Sequence, residues 1–208
     1  MALQVYLIRH GRTEWNDKGL LQGWADSPLT EKGIDGAKRT GKALADIPFA
    51  ACYSSELKRA QNTADYIIGE RAIPHFHLQG LNELNFGKWE GKAISDLLEN
   101  DEYLALRDRP KAYQAIENQG ETIEQFYQRV TNAFWQIVED HQGKHENLLI
   151  VAHGLTLTLL TAVLKGVPWH EFRNPDYHSF VINTSINIVK VENGNAELVE
   201  FNNVAHLG

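Results

Sequence analysis

The chain has 208 residues, 43% hydrophobic and 23% charged, with a net charge of −7 at pH 7, which suits one well-packed globular domain. That acidic balance argues against a nucleic-acid surface, which needs clustered Lys and Arg, but leaves room for a small phosphorylated ligand in a local cationic pocket. The single cysteine, Cys52, is the usage of a cytoplasmic protein, the short first apolar run lacks a basic leader, and no stretch reaches the roughly 18 apolar residues of a membrane span, so no membrane partner is expected.

Residues 3–8 read as a buried strand, followed by a glycine-rich loop over 11–28. Thr30 is placed to cap a helix running to about Asp46, broken at Pro48. A second short strand is predicted over 50–54. A helix follows from Glu56 to about Gly69, with Leu57, Ala60, Ala64, Ile67 and Ile68 on one face. A weak strand at 75–78 leads into an irregular stretch at 82–91 and a short helix over 93–106, stopped by Pro110. The clearest helix spans 122–141, its apolar positions from Ile123 to Val138 spaced by threes and fours. After it come a strand at 148–152 and a helix at 155–165. Two C-terminal runs, 181–191 and 196–201, flank Asn193-Gly194, a strong hairpin signal. This alternation predicts an α/β fold, a three-layer α/β/α sandwich with a mostly parallel central sheet. The whole chain, 1–208, is read as a single domain, with 85–120 a lid-like insertion.

Arg9-His10-Gly11 follows directly on the first strand, and His153-Gly154 on the strand at 148–152. Ligands of open α/β sheets bind just outside the carboxyl ends of strands, so the two His-Gly corners are predicted to converge on one pocket. Neutral imidazole is a competent nucleophile near neutral pH. Gly11 lets a ligand approach the backbone, and Arg9 offers a planar fork for phosphate oxygens. Arg59 falls in the first turn of a helix, where guanidinium and helix N-terminus both favour an anion. Glu83, in a polar stretch between apolar residues, is the type of group that donates a proton to a leaving oxygen. Taken singly, Arg59 reads as a surface residue and Glu83 as a solvated carboxylate; only the combination points to chemistry. His75 with His77, and His141 with His145, lack a nearby third ligand, and no His-Glu-x-x-His occurs, so no metal site is expected. Trp15, Trp24 and Trp89 lie in these loops, where ordinary packing is the equal or better reading against a pocket wall.

Five blocks in order, 9–16, 21–33, 54–63, 82–91 (with Phe86-Gly87-Lys88-Trp89-Glu90-Gly91) and 151–154, make the chain resemble the histidine phosphatase superfamily, the branch that includes cofactor-dependent phosphoglycerate mutase. The resemblance implies a phosphoglycerate mutase-like fold and a role for each matching position. His10 is the nucleophile that becomes transiently phosphorylated. Arg9, Arg59 and His153 clamp the phosphoryl group, and Asn16, Gln22 and Gly23 line its pocket. Glu83 is the proton donor. At Gly154 and Leu155 a helix N-terminus brings the Leu155 amide toward the phosphate. His153 is expected to be cationic or to donate a hydrogen bond, and His10 to have one ring nitrogen fixed by a partner not visible in the sequence. Two guanidiniums take the place of a divalent cation, so no cofactor is expected. Arg12 departs from the glutamate or other polar residue of many relatives and is read as facing solvent. Asn183-Thr184-Ser185 resembles, weakly, a small polar turn near this pocket in relatives.

The expected activity is phosphomonoester hydrolysis on small phosphorylated metabolites through phosphohistidine at His10. Mutase-type phosphoryl transfer and a non-catalytic phospho-ligand binding protein are the alternatives; the presence of both His10 and Glu83 favours an enzyme over the latter. A zinc hydrolase is a third option. Mutases of the family are expected to be longer than this chain and to match residues 86–91 less well. Arg107, Arg109 and Lys111 are read as a solvated face in preference to contacts with a distal anion. The oligomeric state is open, a homodimer through the C-terminal hairpin being one choice and a free sheet edge the other.

Overall fold

The computed structural model describes residues 2–177 and 179–208. Strands β1 (Leu3–Arg9), β2 (Phe49–Ser54), β3 (His75–His77), β4 (Asn147–Ala152), β5 (Ile186–Glu192) and β6 (Asn195–Asn203) form one sheet in the order β3-β2-β4-β1-β5-β6. Strands β3, β2, β4 and β1 run parallel, and β5 is antiparallel to both β1 and β6. Successive side chains of a strand point to opposite faces. In β1, Val5 and Leu7 accordingly join one apolar cluster while Tyr6 and Ile8 join the other. A strand buried on both faces reads as a continuous apolar run, which is why β1 and β4 stand out in the sequence.

Helix α3 (Lys58–Ile68) lays Ala60, Ala64 and Ile67 on one face of the sheet, with α2 (Glu31–Ala43) packed on α3. Helices α5 (Ile123–Asp140) and α6 (Gly154–Leu164) cover the other face. The α5 stripe of Ile123, Phe126, Val130, Phe134 and Ile137 is buried as its spacing predicts. Truncating Phe134 to alanine there costs about 3–5 kcal/mol. Residues Phe86, Trp89, Leu97, Tyr103, Leu106 and Tyr113 of the 85–120 segment belong to this same apolar cluster. No helix among the described residues is long and apolar enough to cross a membrane.

Four local expectations change. A one-turn helix, α1 (Glu14–Asp17), closes within the predicted loop through a Thr13/Asn16 capping box. Helix α2 stops at Ala43, short of Asp46, after the Thr30 cap expected of it. The predicted 93–106 helix is instead a 3-10 turn at Ile94–Leu97 and a helix α4 at Asp101–Asp108, because Asn100 caps a fresh N-terminus on Tyr103. Residues 181–185 are not strand: Thr184 adopts φ +55°, and its amide donates to the Arg9 carbonyl at the end of β1.

The connection leaving β1 crosses to β2 on one side, and the one leaving β4 crosses to β5 on the other. A crevice therefore opens beyond the carboxyl ends of these adjacent strands, the place where open α/β sheets bind ligands.

Candidate active site

Parallel pairing of Arg9 with Ala152 makes the next residues, His10 and His153, neighbours at the mouth of that crevice. Their ring centroids lie 5.2 Å apart, and both imidazoles are buried. The Nδ1 of His10 is 2.8 Å from the Gly11 carbonyl oxygen. A carbonyl only accepts, so Nδ1 carries the proton and Nε2 keeps its lone pair. This supplies the partner missing from the sequence. Burial, then the Arg59 and Arg9 guanidiniums, hold the His10 pKa well below its ordinary value, so the ring is neutral.

His153 has a different tautomer. Its Nε2 lies 2.6 Å from Ser55 Oγ, which also accepts the Leu57 amide hydrogen at 3.2 Å. Among the described residues the Ser55 hydroxyl has no other acceptor, so it donates to Nε2 and leaves the imidazole proton on Nδ1. Burial, followed by Arg59, His10 and Arg9, pushes the His153 pKa well below its usual value. Of the two expectations for this residue, cation or hydrogen-bond donor, the geometry supports the neutral donor.

Arg9 Nη1 donates to the Val181 carbonyl at 2.8 Å, and its guanidinium stacks over Phe180. Burial lowers its pKa to about 10, opposed by Glu83, and it remains ionised at neutral pH. Arg59, only 1% exposed, ties down the preceding loop through the Gly23 carbonyl (2.6 Å), the Ala25 carbonyl (2.7 Å) and Asp26 Oδ1 (3.0 Å). That loop is itself clamped by Glu90, whose carboxylate accepts the amides of Trp24, Ala25 and Phe86. Four buried side-chain polar atoms lack a partner among the described residues, and three of them, Arg9 Nε, Arg59 Nε and His153 Nδ1, belong to the residues flanking His10. Buried donors left unpaired are rare and costly, so three together describe a seat for an anion.

Glu83 caps α6, because the N-cap residue His153 supplies no side-chain cap. Its Oε1 accepts the Leu84 and Thr156 amides and shares the Thr156 hydroxyl proton with the Asn82 carbonyl, each at 3.1 Å from the hydroxyl, and its Oε2 accepts the Leu155 amide at 3.0 Å. The Leu155 N–H predicted to face a phosphate is thus committed to Glu83. The helix end acts on an anion indirectly, by fixing a carboxylate. Asn16 Oδ1 accepts the Thr13 amide and Gln22 Oε1 accepts the Thr13 hydroxyl, which leaves both side-chain NH2 groups for the pocket that they line. Gly23, at φ +56°, lines it as well. At Gly154 a Cβ would come within 3.2 Å of the Arg9 guanidinium, so glycine lets this arginine pack over the start of α6.

The cavity lined by the predicted site residues other than His153 and Gly154 has a volume of about 220 Å³, and its outer wall includes Phe86, Tyr103, Phe180 and Arg173. Arg173 and Phe180 escaped sequence reasoning because residues 165–180 show no periodicity. The Asn183 side chain donates to the His10 carbonyl, so the polar turn at 183–185 does reach the site. Arg12 is exposed and paired with Asp17. Arg107, Arg109 and Lys111 are also exposed, the first paired with Asp108. Trp15, Trp24 and Trp89 lie outside the cavity lining; Trp24 donates to the Glu83 carbonyl, and Trp89 packs on Tyr103 and Tyr113. His75 and His77 share the Ser54 hydroxyl, while His141 bridges Tyr53 and Glu146. No group of three or more His, Cys, Asp or Glu among the described residues is placed to hold a metal ion.

The pattern of the Histidine phosphatase superfamily (branch 1) matches residues 5–204. The chain belongs to this superfamily. An adenosylcobalamin/alpha-ribazole phosphatase of Escherichia coli K12 is 36% identical over 172 residues, 81% of this chain and 84% of the relative. A 2,3-bisphosphoglycerate-dependent phosphoglycerate mutase of Bartonella bacilliformis is 34% identical over 176 residues, 82% of this chain and 85% of that one. The solved structure of Bacillus stearothermophilus YhfR superimposes with a TM-score of 0.91 at 36% identity, covering 99% of this chain and 100% of the other. The mutase and this chain are similar in length, so the expectation that mutases are longer fails, and length does not separate transfer from hydrolysis.

Proposed function

We propose that this histidine phosphatase is a metal-independent phosphomonoesterase that hydrolyses small phosphorylated metabolites through a phosphohistidine at His10. The observation that carries this reading is the free Nε2 of a neutral, buried His10 set among three unpaired buried donors. Nε2 attacks phosphorus as the bond to the departing alcohol oxygen breaks, and Glu83, which has taken a proton from the monoanionic phosphomonoester on binding, gives it to that oxygen. Glu83 Oε2, which accepts one amide against two at Oε1, is the oxygen with room for this proton. Water then attacks the phosphohistidine, returns a proton to Glu83 and releases inorganic phosphate. Arg9, Arg59, the Nδ1–H of His153 and the amides of Asn16 and Gln22 stabilise the phosphoryl oxygens. Phosphoryl transfer needs mainly alignment and charge stabilisation, and a covalent intermediate divides one hard displacement into two easier ones.

In this proposal residues 85–120 act as the lid, since Phe86, Ile94, Tyr103 and Leu106 form much of the outer wall. A buried, free Cys52 fits a reducing compartment, and we assign the enzyme to the cytoplasm on that ground. The test is a panel of phosphorylated metabolites assayed with and without chelator, with rapid quenching to trap an acid-labile phosphoenzyme. Chelator-insensitive phosphate release and a phosphoenzyme absent from His10→Ala are expected. Fast interconversion of 2- and 3-phosphoglycerate with negligible phosphate release would overturn hydrolysis in favour of transfer, and near-normal turnover by His10→Ala would remove the nucleophile.

A further inference from the structure

The outer wall of the cavity is largely apolar. Phe86, Ile94, Tyr103, Leu106 and Phe180 present carbon to the space, and among them stands the guanidinium of Arg173. Arg173 follows the 3-10 turn at Trp169–Glu171, on the loop from α6 to β5 that also carries Phe180. Unlike Arg9 and Arg59, which are each tied to backbone carbonyls, its side chain makes no hydrogen bond or ion pair with any described residue. Besides the Tyr103 phenol, the first carboxylate that acts on it, Asp108, is held at 2.7 Å by both Nε and Nη2 of Arg107. The second carboxylate it senses, Glu83, is committed to the end of α6.

On its other side Arg173 borders a polar cleft with Asp108, Glu171 and Asn174, yet a guanidinium partly withdrawn from water that forms no ion pair with a described residue is a costly arrangement unless an anion arrives to meet it. The phosphoryl group of the substrate is already provided for by Arg9, Arg59, His153 and His10 at the base of the cavity. We infer that Arg173 is a specificity-determining residue that receives a second anionic group, a carboxylate or a further phosphate, on the same small phosphomonoester whose body packs against Phe86, Tyr103 and Phe180. The small cavity volume favours a short body between the two anions. The inference rests on the hydrolase reading for the phosphoryl end and adds the chemistry of the other end. It also moves the distal cation from the exposed Arg107–Lys111 run to the neighbouring loop that packs beside it.

The test compares 3-phosphoglycerate with glycerol 1-phosphate, which differ only in a carboxylate against a hydroxymethyl group. The readout is the ratio of their kcat/KM values in the wild type, Arg173→Leu and Arg173→Lys. A hydrogen-bonded charge pair lost from the bound state predicts that the wild-type preference for the carboxylate substrate falls by about 10- to 100-fold in Arg173→Leu. Arg173→Lys should recover part of it, since lysine keeps the charge but not the fork. Replacing glycerol 1-phosphate by a bisphosphate in the same series tells whether a carboxylate or a phosphate is the better second anion. A ratio unchanged in Arg173→Leu, with both substrates slowed alike, overturns the inference and leaves Arg173 a structural residue. If the wild type turns over no phosphomonoester, the hydrolase reading fails. The same ratio is then read from calorimetric affinities, where a fall in Arg173→Leu upholds the second-anion site and an unchanged ratio sinks it.

Discussion

Glu83→Gln separates the two tasks assigned to one carboxylate. Glutamine can keep its oxygen at the Oε1 position, where the Leu84 and Thr156 amides and the Thr156 hydroxyl all donate. Its NH2 then meets the Leu155 N–H, donor against donor, at a place now spanned by a 3.0 Å hydrogen bond. The loss is one charge-assisted hydrogen bond, about 1.5–3 kcal/mol, plus a negative charge at a helix N-terminus, about 0.3–1 kcal/mol. Together these predict a destabilisation of about 2–4 kcal/mol, and Tm falls roughly 2–4 °C per kcal/mol in a chain of this size. Calorimetry on the ligand-free protein checks this. For catalysis the effect depends on the leaving group. Hydrolysis of an alkyl phosphate, whose alkoxide needs a proton, should fall by about 10²–10⁴. Formation of the phosphoenzyme from nitrophenyl phosphate, whose phenolate leaves unaided, should fall far less. Equal losses on the two substrates would show that Glu83 only holds α6 in place, and the proton-donor role would be refuted.

Buried, neutral His10 and His153 have folded pKa values below the ordinary 6.5, so the unfolded chain binds more protons than the folded one as pH falls. Stability should be fullest above about pH 6.5 and decline as pH falls below it, with a smaller decline in His10→Asn; a Tm independent of pH there contradicts the neutral assignment. Ser55→Ala removes the donor that fixes His153, and kcat/KM should drop about tenfold, the worth of one hydrogen bond, with the Nδ1–H tautomer signal lost in nitrogen NMR. An unchanged tautomer would refute the role given to Ser55. Gly154→Ala places a Cβ 3.2 Å from the Arg9 guanidinium and 2.9 Å from Phe180, and the displaced arginine should lower kcat/KM by about ten- to a hundredfold while Tm barely moves. Wild-type kinetics in this variant would mean that Arg9 does not need its present position.

The pair of His-Gly corners was legible because β1 and β4, buried on both faces, read as uninterrupted apolar runs, and chemistry in such sheets gathers where the strands end. Hydrogen-bond partners were not legible. Neither the Gly11 carbonyl at His10 nor Ser55 at His153 follows from any spacing, since both are set by how loops fold back on the strand ends. The Leu155 amide was assigned to the phosphate from helix-end electrostatics, which are sound, but a carboxylate 72 residues earlier in the chain reaches it first. The break in the 93–106 helix had a signal in the sequence, Asn100 followed by Asp101 and Glu102, a cap with an acidic first turn. The clustered charges of Arg107, Arg109 and Lys111 drew attention to the lid, while the cation that faces the cavity, Arg173, is an isolated residue in an aperiodic loop.

The segment from Phe180 to Thr184 holds both Arg9 and His10: Phe180 lies under the guanidinium, the Val181 carbonyl takes its Nη1 hydrogen, Asn183 bonds the His10 carbonyl and Thr184 the Arg9 carbonyl. Arg9 and His10 thus acquire this geometry only from a segment some 172–173 residues further along the chain. During synthesis a ribosome-bound fragment ending before this segment carries His10 without the frame that aims it, so the site assembles only after residues 180–184 have emerged.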